Sequence, residues 1–256
     1  MQHESECKPT LVFLHGWGLN RAIWQQLWPY LPEFEKLALD LPGFGERPVA
    51  NEPTSIQSWA ASLVEALPSR CVLVGWSLGG LVATELARCF PERVQGLVLV
   101  ASSPCFVEQP HWPGMQVQVL TQFAKLLVDD PAKTVERFLA IQAMGSETAR
   151  QDVKTIKAAI QTLPAPDPTA LAAGLQLLLE VDLRSTLSHL QQPLAGIYGR
   201  LDALVPASQL NELQRLCPHG TWELLPKASH APFITHPQQF SDWLRQVLQQ
   251  WSRPPL

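Results

Sequence analysis

The stretch VLVGWSLGGLVA at residues 72–83 decides how the rest of the chain is interpreted. An apolar run stops at the pentapeptide GWSLG (75–79), and a segment compatible with a helix follows at once. This pattern predicts a strand, a tight turn and a helix, with Ser77 at the apex between two glycines that leave room for a sharp turn. The backbone N–H of Leu78 would then lie at a helix N-terminus, where it can face a developing oxyanion. Ser77 is therefore the candidate nucleophile.

Length and composition indicate a globular protein of one domain. With 256 residues, 46% hydrophobic and 16% charged, the chain is expected to form one globular domain with a sizeable core. The net charge of -4 argues against a nucleic-acid binder. No apolar stretch is long enough to span a membrane, and the polar first ten residues do not predict a secretory signal.

Cysteine usage indicates a reducing compartment. The five cysteines are odd in number and include no C-x-x-C pair, so neither a disulfide framework nor a zinc site is expected. We therefore expect a cytoplasmic protein, and we expect it to be a monomer without a metal. Cys105 is an alternative nucleophile, but a half-buried, unreactive thiol is the favoured interpretation.

Strands and helices alternate along most of the chain. Besides 72–74, apolar runs at 10–14, 36–39, 96–100, 194–198 and 221–225 predict strands, which is typical of a parallel sheet covered on both faces. From 106 to 190 only helical patterns occur, at about 115–128, 132–144, 147–163 and 168–181. We therefore expect an α/β fold with a mostly parallel central sheet and helices on both faces. A helical cap (106–190) would be inserted into a core formed by 1–105 and 191–256.

A serine nucleophile needs a base, and the base needs an orienting carboxylate. In open parallel sheets such groups lie beyond the carboxyl ends of the strands. Asp202 follows the 194–198 strand by four residues and is the one well-placed acid in the second half of the chain. Asp40 also follows a strand, but it precedes the nucleophile and stands beside Pro42, so a role in its own turn is favoured. Asp202 is the candidate acid, although a turn role before Pro206 is open to it as well.

His230 is the candidate base among seven histidines. It lies in the loop after the last predicted strand, where a lone histidine would usually be an ordinary loop residue. His15 follows the first strand, where the neighbouring turn gives it a structural role, and His236 precedes a proline at a helix start. The order serine, aspartate, histidine is the one found with a nucleophile elbow. Ser77, Asp202 and His230 are therefore predicted to form a catalytic triad.

These residues resemble the α/β-hydrolase family over essentially the whole chain. The resemblance rests on the HG pair at 15–16, the GWSLG pentapeptide, Asp202 and His230, in that order. It implies that the backbone N–H groups of Trp17 and Leu78 form the oxyanion hole. It also implies a reaction through an acyl-enzyme that needs no metal or organic cofactor. The serine nucleophile distinguishes this chain from dehalogenase and epoxide-hydrolase members.

A narrower resemblance comes from segments spread along the chain. LHGWGLN (14–20), DLPGFG (40–45), VASSPCF (100–106), TVERFLAIQAMG (134–145) and KASHAPFITHP (227–237) are similar to the esterases of biotin synthesis that cleave the methyl ester of pimeloyl-acyl-carrier protein. The match over Glu136–Gly145 is distinctive because caps are the variable part of this fold. It implies a carboxylesterase whose partners are an acyl-carrier protein bearing the acyl methyl ester and small ester substrates.

The same resemblance implies two roles for cap residues. The acyl chain would run along Phe138, Leu139, Ala140, Ile141 and Gln142. A basic surface that docks the acidic carrier would comprise Lys133, Arg137, Arg150 and Lys154, which are neighbours on two helices. The alternatives are the apolar side of a helix for the first set and a solvated face for the second. The acids that would cancel the charge of that face are Asp129, Asp130, Glu136, Glu147 and Asp152.

The triad by itself leaves other functions open. A general short-chain carboxylesterase, a carbon–carbon hydrolase and a cofactor-free peroxidase all use the same residues, because function lies in the cap and the pocket. A binding protein that kept the fold without activity is a further alternative. The intact Ser77, Asp202 and His230 argue against it.

Overall fold

The computed structural model describes residues 9–49, 54–146 and 148–252. Its strands are β1 (Thr10–Leu14), β2 (Lys36–Leu39), β3 (Cys71–Trp76), β4 (Val94–Val100), β5 (Leu194–Gly199) and β6 (Thr221–Leu225). They form one sheet in the order β2-β1-β3-β4-β5-β6, and every neighbouring pair is parallel. The predicted parallel sheet is confirmed.

Helices occupy most of the remaining described chain. They are α1 (Ile56–Leu63), α2 (Leu78–Cys89), α3 (Val117–Asp129), α4 (Pro131–Gln142), α5 (Ala149–Ile160), α6 (Pro168–Glu180), α7 (Arg184–His189), α8 (Gln209–Leu216), α9 (Pro232–Thr235) and α10 (Pro237–Trp251). Arg21–Tyr30 forms a 3-10 helix, and Asn20 caps it by accepting the N–H of Ala22. None of the described helices is long and apolar enough to cross a membrane.

The central strands are buried, which is why they appear in the sequence as continuous apolar runs. All of β3 and residues 11–14 of β1 are buried. α1 packs against α2, and α2 contacts β1, β3 and β4, whereas Arg21–Tyr30 contacts β1, β2 and α10. Because all six strands are parallel, the loops after β1, β3, β5 and β6 lie at the same edge of the sheet.

Between β4 and β5 the described chain is helical and has only isolated β-bridges. α3 packs against α4 and α6, α4 packs against α5, and α6 and α7 contact α2. Asp130 and Asp167 cap α4 and α6 by accepting the N–H groups of Lys133 and Thr169. The four helices expected here are confirmed. The division into a core (1–105 and 191–256) and a cap (106–190) stays a prediction.

Candidate active site

Ser77 lies at the turn between β3 and α2 with φ 54° and ψ −122°, a region that residues with a Cβ rarely adopt. The flanking glycines are required because other backbone comes close. A Cβ on Gly75 would lie 2.6 Å from the carbonyl oxygen of Gly79, and one on Gly79 would lie 2.5 Å from that of Leu14. The N–H of Ser77 donates to Val100 at 3.0 Å and so fixes the turn to β4. The predicted strand, turn and helix are confirmed.

Asp202 and His230 form a buried pair beyond the ends of β5 and β6. Nδ1 of His230 lies 2.8 Å from Oδ2 of Asp202, and neither side chain is exposed. The other carboxylate oxygen, Oδ1, accepts the N–H groups of Leu204 and Val205 at 2.8 and 3.0 Å. An ionised carboxylate can only accept, so the shared proton belongs on Nδ1 of the histidine. Nε2 is then the basic nitrogen of the neutral ring.

His230 lies beside the serine turn. The indole N–H of Trp76, the residue before Ser77, donates to the carbonyl oxygen of His230 at 2.8 Å, and the two rings are 5.8 Å apart. Nε2 of His230 is buried and forms no hydrogen bond with any described residue, including Ser77. Catalytic hydrogen bonds are often long in a free enzyme and tighten when substrate binds. The structure thus brings Ser77, Asp202 and His230 to one place.

The loop after β1 passes next to the nucleophile. A Cβ on Gly16 would lie 3.3 Å from Cβ of Ser77, so the backbone that leads into Trp17 runs close to the serine. The indole of Trp17 is buried, donates from Nε1 to the carbonyl oxygen of Leu171 at 2.8 Å, and meets the ring of Phe138 edge-on at 4.8 Å. The Trp17 side chain therefore holds this loop against α4 and α6, which leaves only its backbone for an oxyanion.

His15 and Asp40 have structural roles near the site. His15 is buried; its Nε2 accepts the N–H of Leu41 at 3.0 Å, and its Nδ1 lies 2.8 Å from the carbonyl oxygen of the next residue. Burial lowers the pKa of His15 to about 4, so the ring is neutral. Asp40 accepts the N–H groups of Arg21 and Glu46 and forms an ion pair with the Arg21 guanidinium. Arg21 and Asp40 are distant in sequence, and no pattern in the sequence predicts that they pair.

The end of α4 contacts the histidine loop. The carbonyl oxygen of Gln142 accepts the N–H of His230 at 3.3 Å, and the Gln142 side-chain amide is buried with neither its nitrogen nor its oxygen bonded to a described residue. Phe138 and Leu139 are buried as well, whereas Ile141 is half-buried and Ala140 is exposed. The five residues expected along the acyl chain therefore do not share one face of the helix.

The basic cap residues are exposed. Lys133 and Arg137 lie on α4, and Arg150 and Lys154 lie on α5. In residues 9–49, 54–146 and 148–252 none of these four cations forms an ion pair. Because α4 packs against α5, the four charges occur on two adjoining helices.

The described cysteines form no disulfide. Cys71, Cys89, Cys105 and Cys217 are free thiols, and Cys7 lies outside the described residues. Cys105 is buried, and burial raises the pKa of its thiol, which makes it a poor nucleophile. Among the described residues no group of three or more histidine, cysteine, aspartate or glutamate side chains is arranged to hold a metal ion.

Sequence reasoning missed one side chain at the elbow. Ser102 lies two residues after β4, is fully buried, and donates from Oγ to the carbonyl oxygen of Ser77 at 2.7 Å. Its position just beyond the carboxyl end of a strand is the signal that could have found it. A serine there has no sequence pattern of its own.

Comparison with known proteins agrees with this geometry. The family model for the alpha/beta hydrolase fold matches residues 9–237. A pimeloyl-[acyl-carrier protein] methyl ester esterase of Aeromonas hydrophila subsp. hydrophila is 51% identical over 91% of this chain and 92% of its own. The esterase of the same name from Photobacterium profundum is 48% identical over 93% and 94%.

Solved structures extend the likeness in fold. A thermophilic esterase from Thermogutta terrifontis, solved with malate bound, superposes with a TM-score of 0.79 over 96% of this chain and 91% of its own, at 24% identity. An identity this low shows the shared fold alone. The family model and the two close relatives go further: this chain belongs to the α/β-hydrolase family.

Proposed function

We propose that this protein is a serine carboxylesterase that hydrolyses the methyl ester of pimeloyl-acyl-carrier protein to pimeloyl-acyl-carrier protein and methanol, a step of biotin synthesis. The observation that carries the reaction type is the buried Asp202–His230 pair, 2.8 Å apart, beside the Ser77 elbow. The substrate is supported by the names of the two relatives, which are 51% and 48% identical.

Acylation would begin at Ser77. His230 Nε2 takes the hydroxyl proton as Oγ attacks the ester carbonyl carbon, and Asp202 stabilises the imidazolium through Nδ1. The carbonyl oxygen becomes an oxyanion, to which the backbone N–H groups of Trp17 and Leu78 donate. Collapse of the tetrahedral intermediate breaks the bond to methoxide, which receives the proton from His230 and leaves as methanol.

Deacylation would repeat these steps with water. His230 removes a proton from a water molecule, which attacks the acyl carbon of the Ser77 ester. The same two N–H groups hold the second oxyanion. Collapse returns the proton to Ser77 Oγ and releases the carboxylic acid of the acyl chain, still attached to its carrier, which then loses its proton to solvent.

Cap side chains would bind the acyl chain. Phe138, Leu139 and Gln142 face the protein interior, and Leu139 also lines a cavity of about 490 Å³ between α4, α5 and the loop after β1. The mostly apolar lining of this cavity suits a medium-length acyl chain. Gln142 supplies a buried amide without a partner in the described chain, which can bond a polar group of the substrate. Ala140 is exposed and does not line this cavity.

The carrier would dock on the exposed basic residues, because three of the five nearby acids have other partners, while Asp129 is exposed at the end of α3. Glu136 accepts from Lys157 at 2.9 Å, and Asp152 is buried, where its carboxylate accepts the Ser146 and Thr148 hydroxyls. Asp130 caps α4. Glu147 lies outside the described residues. Unpaired cations on α4 and α5 could then steer a strongly acidic carrier protein to the cap.

A substrate panel tests the reaction. We expect the purified protein to show a higher kcat/KM for pimeloyl methyl ester on its carrier protein than for p-nitrophenyl acetate, and Ser77 to react with a fluorophosphonate. A preference for the small ester would indicate a general esterase. Turnover of carbon–carbon or peroxidase substrates alone would move the protein to another class within the family. Failure of Ser77 to react would indicate a binding protein.

Charge reversal tests the carrier surface. Arg137→Glu with Arg150→Glu should lower kcat/KM for the carrier-bound ester, more strongly at low salt, and leave p-nitrophenyl acetate turnover unchanged. Arg70→Glu with Lys125→Glu is the matched control, since both residues are exposed and the net charge changes equally. Equal effects of the two pairs on the carrier-bound ester would contradict docking at α4 and α5.

We further propose that the protein is a monomer of the cytoplasm with the cap at 106–190. The free thiols of the described cysteines suit a reducing compartment. Light scattering during gel filtration tests the oligomeric state, and cell fractionation tests the location. Limited proteolysis should cut first near residues 106 and 190 if the cap is a separate unit.

A further inference from the structure

Ser102 bonds the carbonyl group of the nucleophile. Its Oγ–H donates to the carbonyl oxygen of Ser77 at 2.7 Å, and the N–H of Gly80 donates to the same oxygen at 2.8 Å. Ser102 is the donor to this oxygen that is not part of the elbow and its helix.

The bonded carbonyl shares a peptide group with a proposed oxyanion donor. The C=O of Ser77 and the N–H of Leu78 are two ends of one planar unit, so a bond that fixes the first also fixes the direction of the second. Leu78 begins α2, where an N–H has no acceptor within the helix. A donor on the carbonyl oxygen also polarises the peptide, and hydrogen bonds in a chain strengthen one another.

Other residues hold Ser102 in place. The hydroxyl of Tyr198 donates to the carbonyl oxygen of Ser102 at 2.9 Å, and both residues are buried. A Cβ on Gly80 would overlap Ser102 Oγ, so the glycine at this position leaves space for the hydroxyl. Ala101 has φ 43°, a conformation that is strained for a residue with a Cβ. The chain after β4 is thus bent so that Ser102 meets the elbow.

We propose that Ser102 is a positioning residue that orients the Leu78 N–H in the oxyanion hole and strengthens it as a donor. The inference rests on the proposed roles of Ser77 and Leu78. It concerns the transition state, because the N–H bonds an oxygen that becomes negative only during the reaction. A purely structural hydroxyl would affect stability and leave turnover unchanged.

Ser102→Ala tests this role. We expect kcat to fall roughly 10- to 100-fold with little change in KM, less than the loss of about 10²–10³ on removing an oxyanion donor itself. Binding of an alkyl trifluoromethyl ketone, whose adduct places an oxyanion in the hole, should weaken by the same factor as kcat/KM.

Ser103→Ala is the matched control. Ser103 is also buried, and its hydroxyl bonds the backbone of Cys105 away from the elbow, so its loss should lower stability and spare kcat. Equal kcat values for the two alanine variants would overturn the proposal, as would a loss confined to KM. If Ser102→Ala does not fold, Tyr198→Phe decides: it should lower kcat and ketone affinity together, and normal values of both overturn the proposal. Ser77→Ala distinguishes a failure of the Ser102 proposal from a failure of the proposed function, because an active Ser77→Ala variant contradicts the proposed function itself.

Discussion

Replacing Asp202 by asparagine should disable the enzyme through the histidine tautomer. The two carboxylate oxygens have different partners: Oδ1 accepts two backbone N–H groups, from Leu204 and Val205, and Oδ2 faces His230 Nδ1. An asparagine has one oxygen and one NH₂ group, so only one of the two positions can still accept hydrogen bonds. With NH₂ at the Oδ1 position, two buried N–H donors lose their acceptor, at a cost of about 1–3 kcal/mol each.

The amide will therefore keep its oxygen toward the backbone and turn NH₂ toward His230. Nδ1 must then accept, so the ring proton moves to Nε2, where the base is needed. A neutral imidazole changes tautomer at little cost, so we expect the arrangement with the ring proton on Nε2. We expect kcat to fall about 10⁴-fold, which corresponds to about 5 kcal/mol of transition-state stabilisation. The melting temperature should change little, because the substitution is isosteric.

The assay is steady-state hydrolysis of a p-nitrophenyl ester by Asp202→Asn, with calorimetry to establish folding. Asp40→Asn is the matched control: it is also buried and also accepts backbone N–H groups, but it lies outside the pair with His230. It should lower stability, because its ion pair with Arg21 is lost, and keep kcat. Retention of kcat within tenfold in Asp202→Asn, or its collapse in a folded Asp40→Asn, would refute the reasoning.

Three further changes test the remaining contacts. Ser77→Ala should lower kcat by about 10⁴–10⁶ in folded protein, and near-normal turnover free of contaminating esterase would contradict the nucleophile. Burial lowers the pKa of His15 from 6.5 to about 4. Below pH 6.5 the unfolded chain therefore binds a proton that the folded chain does not, and unfolding free energy should drop by about 3 kcal/mol by pH 4. Denaturant titrations should show that the unfolding free energy falls less steeply with decreasing pH in His15→Asn than in the exposed control His219→Asn. Equal dependence on pH in the two variants would contradict this reasoning. Trp17→Phe removes the indole N–H that the buried Leu171 carbonyl accepts in addition to its bond within α6. Stability should fall by about 1–3 kcal/mol through the lost hydrogen bond and the smaller ring, while kcat stays within tenfold; a large kcat loss would mean that the indole takes part in the chemistry.

Local patterns in the sequence predict the sheet and the elbow because their causes are local. β1, β2 and β6 begin and end where the sequence places them. The central strands β3, β4 and β5 stand out as apolar runs, because a strand covered on both faces is apolar throughout. Other backbone lies so close to Gly75 and Gly79 that no residue with a Cβ fits at either position. The short α7 and α9 escape prediction because six and four residues hold too little periodic pattern.

Contacts between distant segments are not encoded in any local pattern. Ser102 meets Ser77 across 25 positions, and Gln142 meets His230 through its backbone, which no side-chain motif reveals. The charge of the cap surface also depends on contacts that the sequence does not show. Sequence spacing alone makes Asp152 a neutralising neighbour, but its burial against two hydroxyls removes it from the surface.

We expect the chemistry and the substrate preference to come from different parts of the molecule. The candidate triad and the two proposed oxyanion donors lie at the carboxyl ends of β1, β3, β5 and β6. The walls around them come from α4 and α6: Phe138 against Trp17, Leu171 on its indole and Gln142 on the histidine loop. A likeness at 24% identity shows the shared fold alone, whereas the two relatives at 51% and 48% identity are both named for the same ester. Substitutions on α4 should accordingly change which ester is preferred before they change how the ester is cleaved.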